Sequence, residues 1–119
     1  MAYEKIALNL RKREAKAQRA LEERVKAAER EIETLLAQFL AIDPGLQQVI
    51  LFGSLAKKTV RSINFDIDLA VRCSPDKFLR LVGAAFNSEF AVDVVDLDTV
   101  NQALRQFILS DGIVLYEKR

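Results

Sequence analysis

Asp66 and Asp68 stand two residues apart in the run D-I-D-L-A-V, and Asp93 stands between Val92 and Val94 in a second apolar run. A charge among valines is costly unless it is paired, hydrogen-bonded or metal-bound. In an extended strand, residues two apart share a face, so Asp66 and Asp68 present two negative charges side by side. Charges so placed repel, and a divalent cation removes that penalty. Mg²⁺ suits the site: it is hard, octahedral and usually held by a few carboxylates plus substrate phosphates. If the strand bearing Asp93 neighbours the first, its carboxylate reaches the same cluster. It can then bind a second metal or accept a proton from an attacking hydroxyl. Upstream, V-I-L-F runs into Gly53-Ser54. Glycine at a strand end lets the backbone come close to a ligand, and N–H groups at a helix start, with a Ser hydroxyl, bind phosphate oxygens. Lys57, Lys58 and Arg61 follow, able to supplement phosphate neutralisation or simply to form a solvated loop. The set suits a metal-bound nucleotide. Asp96 falls on the opposite face from Asp93, and Asp98 reads as a cap of the next helix, so neither is a ligand in this reading.

These residues need elements to hold them. The spacing predicts a first strand over Leu46–Phe52, in which Val49, Ile50, Leu51 and Phe52 are consecutively apolar and so suit burial on both faces. A short helical turn over Leu55–Lys58 and a loop over Thr59–Phe65 follow. The second strand is Asp66–Val71, with Asp66, Asp68 and Ala70 on one face and Ile67, Leu69 and Val71 on the other. Ser74-Pro75-Asp76 starts a helix, with Ser74 as N-cap and Pro75 at the first position. It runs to Phe86 and turns Phe78, Leu81, Val82 and Ala85 inward. The third strand is Phe90–Leu97. Thr99 and Gln102 resemble a capping box for a helix over Val100–Leu109 that buries Val100, Ala103, Leu104, Phe107 and Ile108. Asp111-Gly112 stops it, and Ile113–Tyr116 closes the chain as a short strand.

Ahead of all this lies a stretch from Tyr3 to Ala41 without Gly or Pro, rich in strong helix formers. Leu21, Val25, Ala28, Ile32, Leu35 and Phe39 recur at helical steps as one apolar stripe. Before Leu21 the stripe thins to Ile6, Leu10, Ala17 and Ala20, and Arg11-Lys12-Arg13, Lys16 and Arg19 make the segment basic. A helix of this length reaches about 55–60 Å, further than a small domain, so its first half should project, bend or lie on another chain. Asp43-Pro44-Gly45 ends it. The division is therefore a helical arm over 1–42, for docking or homo-oligomerisation, and a domain over 43–119. Rival readings of the arm are a solvated helix laced with ion pairs and a nucleic-acid arm. The interspersed Glu14, Glu22 and Glu23 and the lack of alternating aromatics speak against the last.

The 119 residues fit one domain, and half of them are hydrophobic, enough for one core. A net charge of +1 exerts no global pull toward nucleic acid or an anionic membrane, and no stretch is apolar and long enough to span a bilayer. The opening MAYEKIALNLRKREAK lacks the apolar core of a secretory leader. Cys73 is the one cysteine, which fits a reducing cytoplasm. The absence of histidine excludes Ser-His-Asp catalysis and argues against structural zinc.

Taken together, L-F-G-S-L-A-K-K, D-I-D-L-A-V, V-D-V-V-D-L and the closing I-V-L-Y resemble the minimal nucleotidyltransferases of the DNA polymerase beta superfamily, often encoded beside a HEPN-domain protein as its antitoxin. The resemblance runs from about Leu46 to Tyr116. It implies an α/β fold: a small mixed sheet of about four strands with flanking helices. It implies that Gly53 and Ser54 grip a nucleoside triphosphate, that Asp66 and Asp68 bind two Mg²⁺ ions, and that Asp93 completes the metal site and helps activate the acceptor. Lys57 and Lys58 stand where the family commonly has Arg and Gly. Lys keeps the charge without the forked geometry, and Lys58 lacks glycine's freedom. Phe65 replaces a common Ser, and the loop from Ser54 to Asp66 is about one residue longer.

The reaction implied is nucleotidyl transfer, with ATP as donor and a hydroxyl, a tyrosine of a HEPN toxin in this reading, as acceptor. The main rival is an antitoxin that neutralises its partner by stoichiometric contact with the nucleotide site idle. A nucleic-acid-modifying transferase is the third reading.

Overall fold

The computed structural model describes residues 2–119. Helix α1 runs unbroken over Ala2–Ile42, as the absence of Gly and Pro requires. Only its second half meets the rest of the chain: Ala28, Ile32, Leu35 and Phe39 are buried, while every residue from Ala2 to Ala20 is exposed. The molecule therefore measures 66 × 29 × 23 Å.

Strands β1 (Gln48–Phe52), β2 (Ile67–Arg72), β3 (Val92–Asp96) and β4 (Ile113–Glu117) form one sheet in the order β3-β2-β1-β4. β1 is antiparallel to both β2 and β4, and β2 is parallel to β3. A five-residue helix, α2 (Gly53–Lys57), leaves the end of β1. A 3-10 turn (Pro75–Lys77) and α3 (Phe78–Phe86) make the crossover that a parallel pair requires. α4 (Gln102–Asp111) joins β3 to β4. Val49, Ile50 and Leu51 are all buried, because the sheet is covered on both sides. On one face, Val49, Leu51, Ile67, Leu69 and Val71 meet residues of α1 and α3. On the other, Ile50 and Ala70 meet Leu97, Ile108 and Leu104, so α4 lies there.

Asp43 does more than end α1. It is 2% exposed. Its Oδ1 accepts from Gly45 N (2.9 Å) and Ser74 Oγ (3.0 Å), and its Oδ2 accepts from Ser74 N (2.8 Å). The carboxylate thus ties the end of α1 to the segment after β2. Ser74 is correspondingly not a side-chain cap. Its hydroxyl is given to Asp43, and Pro75 opens the 3-10 turn without it.

The helix after β3 also differs from expectation. Asp96 Oδ1 accepts from Asp98 N (3.0 Å), and the carbonyl of Asp96 accepts from the N–H groups of Thr99 and Val100 (each 3.1 Å), so Thr99 belongs to a turn. The cap is Asn101, whose Oδ1 accepts from Leu104 N at 2.8 Å. Asp98 pairs with Arg72 instead of capping (Nε–Oδ1 3.1 Å). Ile108 is buried, but Ala103 and Phe107 are exposed.

Candidate active site

β1 ends at Phe52, and Gly53 turns the chain into α2 with φ 80°. Two constraints meet at that glycine. The left-handed backbone disfavours any side chain, and a Cβ there would collide with Asp68 Oδ2. Gly53 and Asp68 are therefore in direct apposition. The carbonyl of Ser54 accepts from Thr59 N at 2.9 Å, which anchors the start of the following loop, while its side chain is exposed. Lys58 closes α2 with φ 58° and ψ 38°, the left-handed conformation that glycine provides at no steric cost.

The pairing of β2 with β3 settles where Asp93 lies. Asp68 is in register with Phe52 on one side and with Asp93 on the other, and in-register residues of a sheet share a face. The expectation that the third carboxylate joins the first two therefore holds for Asp68 and Asp93. Burial, then the charges of Asp93 and Asp66, and a hydrogen bond with Asp93 push the Asp68 carboxyl up to about 6. Asp66 is exposed and sits one residue ahead of β2 rather than inside it. It adds its charge to the pair from the strand's mouth. Phe65, its predecessor, is held inward by a tilted contact with Phe90, ring centroids 6.3 Å apart, and the Arg24 guanidinium of α1 lies 3.7 Å over the Phe90 ring. Phe65, where Ser is common, thus has a packing role, and its partner Phe90 is too remote in sequence to be read from local pattern.

Among the described residues no group of three or more His, Cys, Asp or Glu side chains converges closely enough to chelate one ion. The chemistry of the donors nonetheless fits a hard divalent cation. Asp68, crowded by two other carboxylates, gains from either a proton or a metal, and all three donors are oxygens of the kind Mg²⁺ takes. Chelation by all three requires Asp66 to close onto the Asp68–Asp93 pair.

Lys57 is the one site candidate that the fold turns elsewhere. Its Nζ lies 3.5 Å from Asp111 Oδ2 and 4.5 Å from the Phe107 ring centroid, both on α4. Nothing in the sequence marks Asp111 as its partner, since Asp111-Gly112 reads only as a helix stop. Burial, followed by the charges of Asp96, Asp43, Asp98 and Asp76, pushes the Cys73 thiol up to about 11. It is a protonated side chain and no nucleophile at neutral pH.

A family model described as polymerase beta nucleotidyltransferase matches residues 34–119. Among proteins with curated descriptions, none matches the chain. Solved structures do. A chain in a toxin–antitoxin complex with AMP-PNP is 29% identical, with a TM-score of 0.59, covering 73% of this chain and 74% of that one. A chain in a mutant MntA toxin–antitoxin complex is 30% identical, with a TM-score of 0.56, covering 76% and 73%. A chain in the complex of the tri-AMPylated Shewanella oneidensis HEPN toxin with its MNT antitoxin is 27% identical, with a TM-score of 0.53, covering 79% and 73%. The family match takes in the whole sheet and every residue gathered at its end, and this chain belongs to the polymerase beta nucleotidyltransferases, as a minimal nucleotidyltransferase of the MNT antitoxin type.

Proposed function

We propose that this chain transfers AMP from ATP to a hydroxyl of a HEPN-type toxin and so acts as its antitoxin. The observation that carries the reading is the in-register apposition of Asp68 and Asp93 beside Gly53. Two carboxylates, with Asp66 at their edge, thus lie against the left-handed glycine turn that starts α2. The relatives support the substrate classes. One complex holds AMP-PNP, and another holds a toxin carrying AMP groups.

In this reading the backbone at Gly53 and Ser54 holds the triphosphate. Asp66, Asp68 and Asp93 hold two Mg²⁺ ions, which when bound supply the charge that stabilises the entering and leaving oxygens. Asp93, the more exposed member of the pair, takes the proton of the acceptor hydroxyl as that oxygen bonds to the α-phosphorus. The bond from the α-phosphorus to its bridging oxygen breaks, and pyrophosphate leaves. Alignment of the two oxygens by the phosphate grip is the main contribution of the protein. No helix among the described residues is long and apolar enough to cross a membrane, and the lone protonated thiol suits the cytoplasm.

One observation favours a second reading, stoichiometric neutralisation with the site idle: among the described residues no three carboxylates converge closely enough to hold one ion. A single experiment separates the two. The chain is purified with the protein encoded beside it and given α-labelled ATP and Mg²⁺, with Asp68→Ala and Asp93→Ala as controls. Label on the partner that both substitutions abolish, with the complex intact, establishes the transferase. No label with neutralisation preserved in both variants gives the stoichiometric reading.

A further inference from the structure

Asp66 has no place in the strand ladder. β2 begins at Ile67, and the exposed residues Arg61, Ser62, Ile63 and Asn64 lead up to it through Phe65. A carboxylate carried on a loose loop must be ordered by its metal, at a cost in chain entropy. Here the backbone is pinned on both sides of Asp66. After it, Ile67 N donates to the carbonyl of Ala91 at 2.9 Å. Before it, Phe65 packs against the core cluster between the sheet and the layer of α1 and α3, and its ring meets that of buried Phe90 at 6.3 Å between centroids.

Both anchors belong to one short stretch. Phe90 and Ala91 lead directly into β3, just ahead of Asp93. That stretch is in turn held by α1. The Arg24 guanidinium lies 3.7 Å over the Phe90 ring, and its Nη1 lies 3.7 Å from Glu89 Oε1. Two turns further along, Glu31 Oε2 accepts from Ser88 Oγ at 2.8 Å, and the same Oγ accepts from Phe90 N at 3.1 Å. Residues seven apart on a helix share a face, so one face of α1 grips Ser88, Glu89 and Phe90 together.

We propose that Phe65, braced by Phe90 and Arg24, is a positioning residue of the metal site. It holds the backbone of Asp66 in a fixed place relative to Asp93, so that Asp66 closes onto the Asp68–Asp93 pair by rotation of its side chain alone. This role rests on the reading of the site as a seat for a metal-bound nucleotide. Rotation of one carboxylate freezes far fewer dihedrals than the ordering of a loop. Neighbouring residues of an extended chain point to opposite faces, which is how the ring can sink toward α1 while Asp66 stays exposed. A tilted ring-to-ring contact supplies the hold; a small side chain at this position has nothing to offer Phe90. Asp66 and Asp93 are then carried by one frame, while Asp68 is fixed by ladder partners on both sides, Phe52 and Asp93.

Calorimetric titration of the full chain with AMP-PNP and Mg²⁺ tests the role. Phe65→Ala is expected to weaken Mg²⁺-dependent binding of AMP-PNP by about tenfold, and Arg24→Ala by less in the same direction. Phe65→Tyr keeps the ring and the wild-type affinity. In an Asp66→Asn background Phe65→Ala should cost nothing further, because the carboxylate it positions is gone; a merely structural role gives the same loss in both backgrounds. The Mg²⁺ concentration needed for half-saturation at fixed AMP-PNP is a second readout. Phe65→Ala raises it, and excess Mg²⁺ returns the variant to full occupancy, whereas a folding defect lowers the occupancy and leaves the midpoint alone. Far-UV circular dichroism follows the fold in each variant. An equal loss in both backgrounds, wild-type affinity in Phe65→Ala or Asp66→Asn, a loss shared by Phe65→Tyr, or an unmoved Mg²⁺ midpoint would overturn the positioning role and leave the nucleotide reading standing. A wild-type chain that binds no AMP-PNP with Mg²⁺ overturns both.

Discussion

Asp43 and Asp68 are carboxylates at opposite ends of the central strands, and their surroundings push them in opposite directions. At Asp43 burial raises the pKa, but the N–H and hydroxyl of Ser74, the N–H of Gly45 and the charge of Lys77 together outweigh it and leave the carboxyl below its usual value. A lowered folded-state pKa contributes stability that is present above the unfolded value, about 3.9, and is lost as pH falls through the folded value. Asp43→Ala is expected to cost about 2–3 kcal/mol at neutral pH and to flatten the acid limb of the unfolding curve, read by urea titration below pH 5. At Asp68 the sign reverses. Its carboxyl is raised to about 6, so in Mg²⁺-free buffer at neutral pH the ionised group weakens the fold. Asp68→Asn should stabilise the metal-free protein by on the order of 1–2 kcal/mol after allowance for solvent screening. Added Mg²⁺ should raise the melting temperature of the wild type and leave that of the variant unchanged. The candidate site was legible at this scale because two carboxylates in an apolar run are costly enough to demand an explanation. Asp43 was not, since an Asp before Pro-Gly has a sufficient local meaning and its partner Ser74 is remote in sequence.

At the scale of elements, periodicity served well where one period dominates. α1 and the strand cores lie where their apolar spacing puts them, because burial on a single stripe or on both faces of a strand leaves a strong signature. The start of α4 shows the limit. Thr99, Asn101 and Asp98 are all competent caps, and what decided among them was the tight turn that Asp96 forms with Asp98 and Thr99. The contact of Lys57 with Asp111 was out of reach for a similar reason: it depends on where α4 returns. α2 offers a direct test of local strain. Lys58 sits at φ 58°, where a residue with a Cβ is disfavoured by roughly 1–2 kcal/mol. Lys58→Gly should therefore raise stability by about 1 kcal/mol, measured by chemical denaturation, and it leaves the carboxylates untouched.

For the whole molecule, the radius of gyration is 17.9 Å, against about 13.5 Å for a compact chain of this length. The excess is the arm, whose projection followed from a helix longer than any domain of this size. Removal of residues 2–20 should bring the radius of gyration, by small-angle scattering, to about 13 Å. It should leave nucleotide binding intact, because no residue of that segment reaches the sheet. The parallel pairing of β2 and β3 bears on the order in which the molecule comes together. β1 and β2 can zip as sequence neighbours across the short α2 and the loop after it, which sets Gly53 against Asp68 early. Asp93 arrives only after the crossover through α3 has docked on the sheet, the non-local and slower event. A half-folded chain therefore has Gly53 beside Asp68 but lacks the Asp68–Asp93 pair, so the carboxylate pair exists only once the core has closed.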